Sequence, residues 1–315
     1  MTTAFLFPGQ GSQAVGMGKA LADAVPAARA VFDEVDEALG EKLSAIIFGG
    51  PEQTLILTRN AQPALMAVSM AVLRALEGEG VSLSEHAAYV AGHSLGEYSA
   101  LAAADSFTVG DTARLLRARG DAMQKAVPEG VGAMAALLGL DVDAAKDVAR
   151  EAASEDEVCE VANDNAPGQV VVSGHKSAVE RATEIAKTKG ARRAMMLSVS
   201  APFHCSLMEP AAEVMANALA GVDIHPPAVP LVANVLAKPL TDPTEIRRRL
   251  VEQVTGAVRW RESMAWLGAN GVDRVAEIGA GKVLTGLAKR VVPDATAISA
   301  GTPEEIAALA AALRS

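Results

Sequence analysis

Two apolar runs end abruptly in glycine-rich turns and pass at once into helical sequence. AFLF (4–7) leads into PGQGSQ, and AAYVAG (87–92) into HSLGEYSALAAAD. Apolar runs this short are predicted to be buried strands, and a strand feeding directly into a helix is the unit of a parallel sheet. The same alternation continues to the end of the chain, with strands expected at PLVANVL (230–236), VDRVAEIG (272–279) and ATAIS, and a last helix at PEEIAALAAALR. Helices are expected over 17–39, 61–80, 95–105 and 110–126.

The pattern changes between about residues 128 and 200. GVGAMAALLGL reads as a strand, DVDAAKDVAREAAS as a helix, VCEVANDNA and QVVVSG as two strands, HKSAVERATEIAKTKG as a helix and RRAMMLSVS as a strand. That is the element order of a ferredoxin-like unit. Strand–helix alternation on both sides implies one α/β body, 1–127 and 201–315, with a small domain, 128–200, inserted in it. The length of 315 residues fits about two domains at ~150 each. Half the residues are hydrophobic but only 3% aromatic, so Ala, Val, Leu, Ile and Met must fill the core.

A net charge of −10 argues against nonspecific nucleic-acid binding, which needs a basic footprint. Cys159 and Cys205 make neither a disulfide framework nor a metal-ligand spacing, and no metal is expected. No apolar run reaches the ~18 residues of a membrane span, and the first residues lack the pattern of a signal peptide. A soluble cytoplasmic protein is expected, free-standing and by default a monomer, with no membrane contact.

Gly92-His-Ser94-Leu-Gly96 between a strand and a helix suits a tight turn that exposes a serine nucleophile. The backbone N–H of Leu95 would then face an oxyanion near the helix N-terminus. The alternative is a structural turn serine. The nucleophile needs a base, and the chain has five histidines. His93 leaves the chain beside Ser94 in another direction; His86 and His225 lie in loops; His175 lies near a helix start. His204, in SAPFHCSLM, stands where the chain re-enters the body, and is the expected base; a satisfied interdomain histidine is the alternative. Gln10, in the PGQGSQ loop, is a candidate for the second oxyanion donor.

In the helix over 110–126, residues advance by about 100°, so Arg119 projects roughly 140° from Arg114. It falls between Leu115 and Met123 on the apolar face, while Arg114, Arg117, Asp121 and Lys125 share the other. Arg is almost never buried without a partner. An internal salt bridge or a ligand carboxylate, matched by the planar fork, would each satisfy it. Two other glycine loops carry less. Gly9-x-Gly11-x-x-Ala14 is not followed by the second strand of a dinucleotide site, and GAGKV (279–283) lacks the rest of a phosphate loop.

Taken together, FPGQGSQ (7–13), GHSLGEYSAL (92–101), RG with Met (119–123), NAPGQVVVSG (165–174), APFH (201–204) and GKVLTGL (281–287) resemble the malonyl-CoA:acyl-carrier-protein transacylase family. The resemblance implies a large parallel-sheet, α/β-hydrolase-like body with an inserted ferredoxin-like domain. It implies Ser94 as the acylated nucleophile, His204 as its base, and the amides of Gln10 and Leu95 as the oxyanion hole. It also implies that Arg119 holds the malonyl carboxylate, that the backbone carbonyl of Gln253 orients the histidine, and that Phe203 is the malonyl-selective residue where methylmalonyl-selective relatives tend to carry Ser. Asn163 lies near a matched segment. Ala280 stands where the family usually has proline.

The implied partners are malonyl-CoA, as a thioester substrate with no further cofactor, and an acyl carrier protein. Its acidic surface would meet Lys187, Lys189, Arg192 and Arg193, or Lys282, Lys289 and Arg290; ordinary solvated faces are the alternative. A serine thioesterase or esterase of α/β-hydrolase type is the competing enzyme reading, and a non-catalytic carrier-binding subunit a third.

Overall fold

The computed structural model describes residues 1–314 as an α/β fold built on a mostly parallel sheet. Its strands are β1 (Thr3–Phe7), β2 (Tyr89–Gly92), β7 (Leu231–Ala233), β8 (Lys238–Leu240), β9 (Arg274–Ile278) and β10 (Thr296–Ala300), in the order β10-β9-β1-β2-β7-β8. Every pairing is parallel except the edge pair β7–β8. β1 is buried along its whole length at the centre of the sheet, which explains its uninterrupted apolar run. The long helix Thr58–Gly78 is buried on nearly every face, its alanines and methionines filling a core with few aromatics.

The second sheet contains β3 (Gly132–Leu138), β4 (Cys159–Ala166), β5 (Gln169–His175) and β6 (Arg193–Met196), all antiparallel, in the order β4-β5-β3-β6. Helices Val142–Ala152 and Lys176–Thr188 pack against it around a separate core of Ala133, Leu137, Val148, Val172 and Val179. Asp141 caps the first of these helices, its side chain accepting from the Ala144 N–H.

Some elements differ from expectation. The helix expected over 17–39 is two, Lys19–Ala24 and Pro26–Leu39, because Pro26 can start a helix but not continue one. Of 230–236, only Leu231–Ala233 is strand. APFH lies in a loop, and helix resumes at Ser206–Met208 and Glu209–Ala220.

Several contacts tie the second sheet to the body that carries the first and fix the cleft between them. Asp164 N–H donates to the Val258 carbonyl at 3.0 Å, and Val258 N–H to the Ala162 carbonyl at 2.9 Å. Arg261 pairs with the buried Asp164 at 2.7 Å, and Ser206 donates through N–H and hydroxyl to Glu160 at 2.7 and 3.0 Å.

The turns after β1 and β2 press backbone against backbone. A Cβ on Gly92 would lie 1.8 Å from the Gly96 carbonyl oxygen, and one on Gly96 only 2.2 Å from the Phe7 carbonyl oxygen. Gly286, in the helix Val283–Val291, has open space around it. Gly92→Ala is therefore expected to cost about 3 kcal/mol or more, while Gly286→Ala should stabilise by about 0.4–1 kcal/mol. Urea midpoints measure both; a Gly92→Ala protein as stable as its parent would contradict the packing described.

Candidate active site

Both turns open into one cavity of about 370 Å³, bounded on its other side by β4, β5 and the segment after β6. Ser94 sits in the turn after β2 with φ 53°, in the left-handed region that a side chain occupies at a cost. Asn234, at the end of β7, holds this turn. Its Oδ1 accepts from the Ser94 N–H at 2.8 Å, and its Nδ2 donates to the Gly92 carbonyl at 2.7 Å.

His204 is the histidine that reaches Ser94, with Oγ and Nε2 2.8 Å apart. It too has a left-handed backbone, φ 60°. Its Nδ1 lies 2.9 Å from the Gln253 carbonyl and 3.1 Å from the Gly256 carbonyl. These oxygens stand in and just beyond the last turn of helix Pro243–Thr255, where carbonyls have no helical partner. Two acceptors at Nδ1 require the proton there, so the neutral ring presents a bare Nε2 to the Ser94 hydroxyl. Burial, with Arg119 second, pushes the His204 pKa down to about 3. His93 instead points to Asn165, Nε2 to Oδ1 2.8 Å, and packs against Trp260.

Gln10 and Leu95 both line the cavity beside Ser94. The Gln10 side chain accepts from Thr58 Oγ1 at 2.9 Å. Leu95 precedes the first turn of helix Gly96–Ala103. Phe203 and Asn163 also line the cavity.

Arg119, on helix Val109–Lys125, is 2% exposed and comes from the apolar face that the helical wheel indicates. No carboxylate lies within ion-pairing distance of it among the described residues, so the salt-bridge alternative is not what satisfies it. Nη1 donates to Gln62 Oε1 at 2.8 Å; Nη2 donates to Gln253 Oε1 at 2.8 Å and to Ser94 Oγ at 3.1 Å. Its guanidinium lies over the Tyr98 ring, 5.7 Å from the centroid. Burial pulls its pKa below the usual guanidinium range, yet Arg remains the cation in the cavity wall.

Gln253 therefore meets the site twice, through its backbone carbonyl at His204 and its side chain at Arg119. Its Nε2 donates to the Ser94 carbonyl at 2.9 Å and to Glu97 Oε2 at 2.8 Å. Burial pushes the Glu97 carboxyl up to about 7, against the pull of Gln253, Asn234 and Arg119. Glu97, Gln62, Asn234 and the Gln253 side chain were not reached from sequence. Of these only Asn234 left a signal, as a polar residue in the otherwise apolar PLVANVL.

Among the basic residues weighed for a partner, Lys187 pairs with Glu184, Lys189 with Glu151 and Lys282 with Glu305. Arg290 donates to Gln169 and the Pro167 carbonyl. Arg192, Arg193 and Lys289 are exposed. Among the described residues, no group of His, Cys, Asp and Glu could hold a metal, and no helix is long and apolar enough to cross a membrane.

The family model for the acyl transferase domain matches residues 4–307. The malonyl CoA-acyl carrier protein transacylase of Bacillus subtilis is 48% identical over 303 residues, 96% of this chain and 94% of the relative. An acyl-carrier-protein-S-malonyltransferase from Bartonella henselae superposes with a TM-score of 0.97 at 57% identity, over the whole of both chains. A malonyl-transacylase solved in complex with its type II PKS acyl-carrier protein superposes at 0.95 with 41% identity, over 99% of this chain and all of that one. With this coverage and identity, the chain belongs to the acyl transferase domain family.

Proposed function

We propose that this protein transfers a malonyl group from malonyl-CoA to the phosphopantetheine thiol of an acyl carrier protein, through a malonyl ester on Ser94. The observation that carries the malonyl part is Arg119: a buried cation with neutral partners, touching the nucleophile itself. A dicarboxylic thioester puts its free carboxylate beside this guanidinium when its carbonyl carbon reaches Ser94 Oγ. The activities of the relatives support the same substrate and acceptor.

The neutral His204 takes the Ser94 proton at Nε2 as Oγ attacks the thioester carbonyl. The amides of Gln10 and Leu95 receive the oxyanion, where one such donor is worth about 3 kcal/mol. The carbon–sulfur bond breaks, and His204 returns its proton to the departing CoA thiolate. The carrier thiol then enters by the same route, and the steps run in reverse, a double displacement. Acetyl-CoA leaves Arg119 without a carboxylate, and Phe203 opposes a methyl branch by bulk, a term worth only about 1–3 kcal/mol per methylene.

The carrier approaches a mouth with cations on two sides. Exposed Arg192 and Arg193 enter β6, and Leu197 and Val199 beyond it line the cavity. Helix Val283–Val291 lines it through Leu284 and Leu287 and carries Lys289 and Arg290 in its last turn. We read residues 128–200 as an inserted ferredoxin-like domain, supported by its helix-on-one-face sheet with order β4-β5-β3-β6, and the remainder, 1–127 and 201–315, as an α/β-hydrolase-like body. A hydrolase triad would place a carboxylate at His204 Nδ1, where two carbonyls stand instead.

Malonyl-CoA alone should add one malonyl mass to a Ser94 peptide, absent in Ser94→Ala. An adduct on another residue would sink the nucleophile assignment, and rapid release of malonate would favour a hydrolase.

Replacing Arg119 with Ala should lower kcat/KM for malonyl-CoA by about 100-fold, roughly 3 kcal/mol, and narrow the preference over acetyl-CoA. An unchanged preference would show that the carboxylate binds elsewhere.

A lowered pKa keeps His204 deprotonated, and competent as a base, well below the ordinary histidine range. Acylation of Ser94 by a neutral ester should therefore stay level between about pH 8 and pH 5, where an ordinary histidine would lose half its activity near pH 6.5. A half-loss near 6.5 in stopped-flow acylation would contradict the assignment.

A further inference from the structure

We infer that Glu97 is a positioning residue for carboxylate recognition: it anchors the Gln253 side chain that holds Arg119 against Ser94. The inference rests on the proposed roles of Arg119 and Ser94 and extends them to a residue whose side chain makes no hydrogen bond to Ser94 or to Arg119.

Glu97 lies in the first turn of helix Gly96–Ala103 and is 1% exposed. A carboxylate so buried needs hydrogen bonds in place of water. Its Oε2 receives Gln253 Nε2 at 2.8 Å and the Asn234 N–H at 3.2 Å. The Gln253 amide is the link. A guanidinium only donates and an ionised carboxylate only accepts. An amide between them therefore turns its oxygen to Arg119 and its nitrogen to Glu97, as the 2.8 Å contacts on both sides require. The order is cation, amide, anion, with the charges separated by one neutral side chain. This leaves Arg119 without a directly paired carboxylate and open to one from a ligand, while its charge is partly balanced inside the protein.

The Ser94 turn has its own support. Asn234 grips Ser94 N–H and the Gly92 carbonyl through its side chain, while only its backbone N–H meets Glu97. His204 is oriented by backbone carbonyls of Gln253 and Gly256, not by the amide. Withdrawing the Glu97 oxygen should thus loosen the arginine more than the nucleophile or base.

The test compares Glu97→Asp, which keeps the charge but pulls the carboxylate back, with Glu97→Gln, which keeps an acceptor oxygen at the same reach. For Glu97→Asp, kcat/KM for malonyl-CoA should fall at least about tenfold, mostly in KM, as expected for a lost hydrogen bond to a charged group. Acylation of Ser94 by a neutral ester should stay within about threefold of the parent. Glu97→Gln should recover malonyl transfer to within about threefold. In an Arg119→Ala background, Glu97→Asp should cost less than about threefold further, because the two act as one unit. Glu97→Asn withdraws the acceptor oxygen without leaving a buried unpaired charge, and carries the same malonyl-selective prediction should Glu97→Asp fail to fold.

Equal loss of malonyl transfer and ester acylation would overturn the inference, as would a Glu97→Gln protein no better than Glu97→Asp, or additive effects with Arg119→Ala. Failure of the underlying reading shows separately, as a parent protein whose malonyl preference survives Arg119→Ala, and that result also removes the basis of the inference.

Discussion

The guanidinium of Arg119 is removed from water and surrounded by neutral oxygens and an aromatic face. Burying such a charge without a paired anion is costly, and the surroundings must be arranged to bear it. Gln62 reaches from helix Thr58–Gly78, Gln253 from helix Pro243–Thr255, and Tyr98 from the helix that follows Ser94. Four helices thus converge on one cation, and the serine turn is among its contacts. Much of the polar interior of the site follows from this convergence.

The same arrangement accounts for a base without a carboxylate partner. An anion beside His204 would lie close to Arg119 and could pair with it. Carbonyls at the end of a helix fix the ring tautomer without adding net charge. The guanidinium also helps keep the ring neutral, second only to burial as the cause of its low pKa. Oxyanion donors, base and cation are therefore compatible in one small cavity, because Arg119 is the charged group among its lining residues before substrate arrives.

The legible parts of this site are those governed by local rules. Gly92 and Gly96 marked the strand-to-helix turn, and the contacts a Cβ would make there explain why glycine is needed. The helical wheel placed Arg119 inward, since 3.6-residue periodicity holds within one helix. His204 followed from where the chain leaves the small sheet. Gln253 and Phe203 came only from resemblance, because nothing near them in sequence distinguishes them. Glu97, Gln62 and Asn234 were out of reach. Asn234 meets Ser94 from 140 positions away, and such pairs depend on the packing of distant elements. The break at Pro26 and the short β7 show the same limit at element boundaries.

The central claim is that one cation selects the acyl group and one turn receives it. A crystal structure of the protein after reaction with malonyl-CoA tests this most directly. The account predicts an ester on Ser94 Oγ, its carboxylate forked onto Arg119, and its carbonyl oxygen toward the Gln10 and Leu95 amides. A carboxylate turned away from Arg119, or an acyl group on another residue, would contradict it.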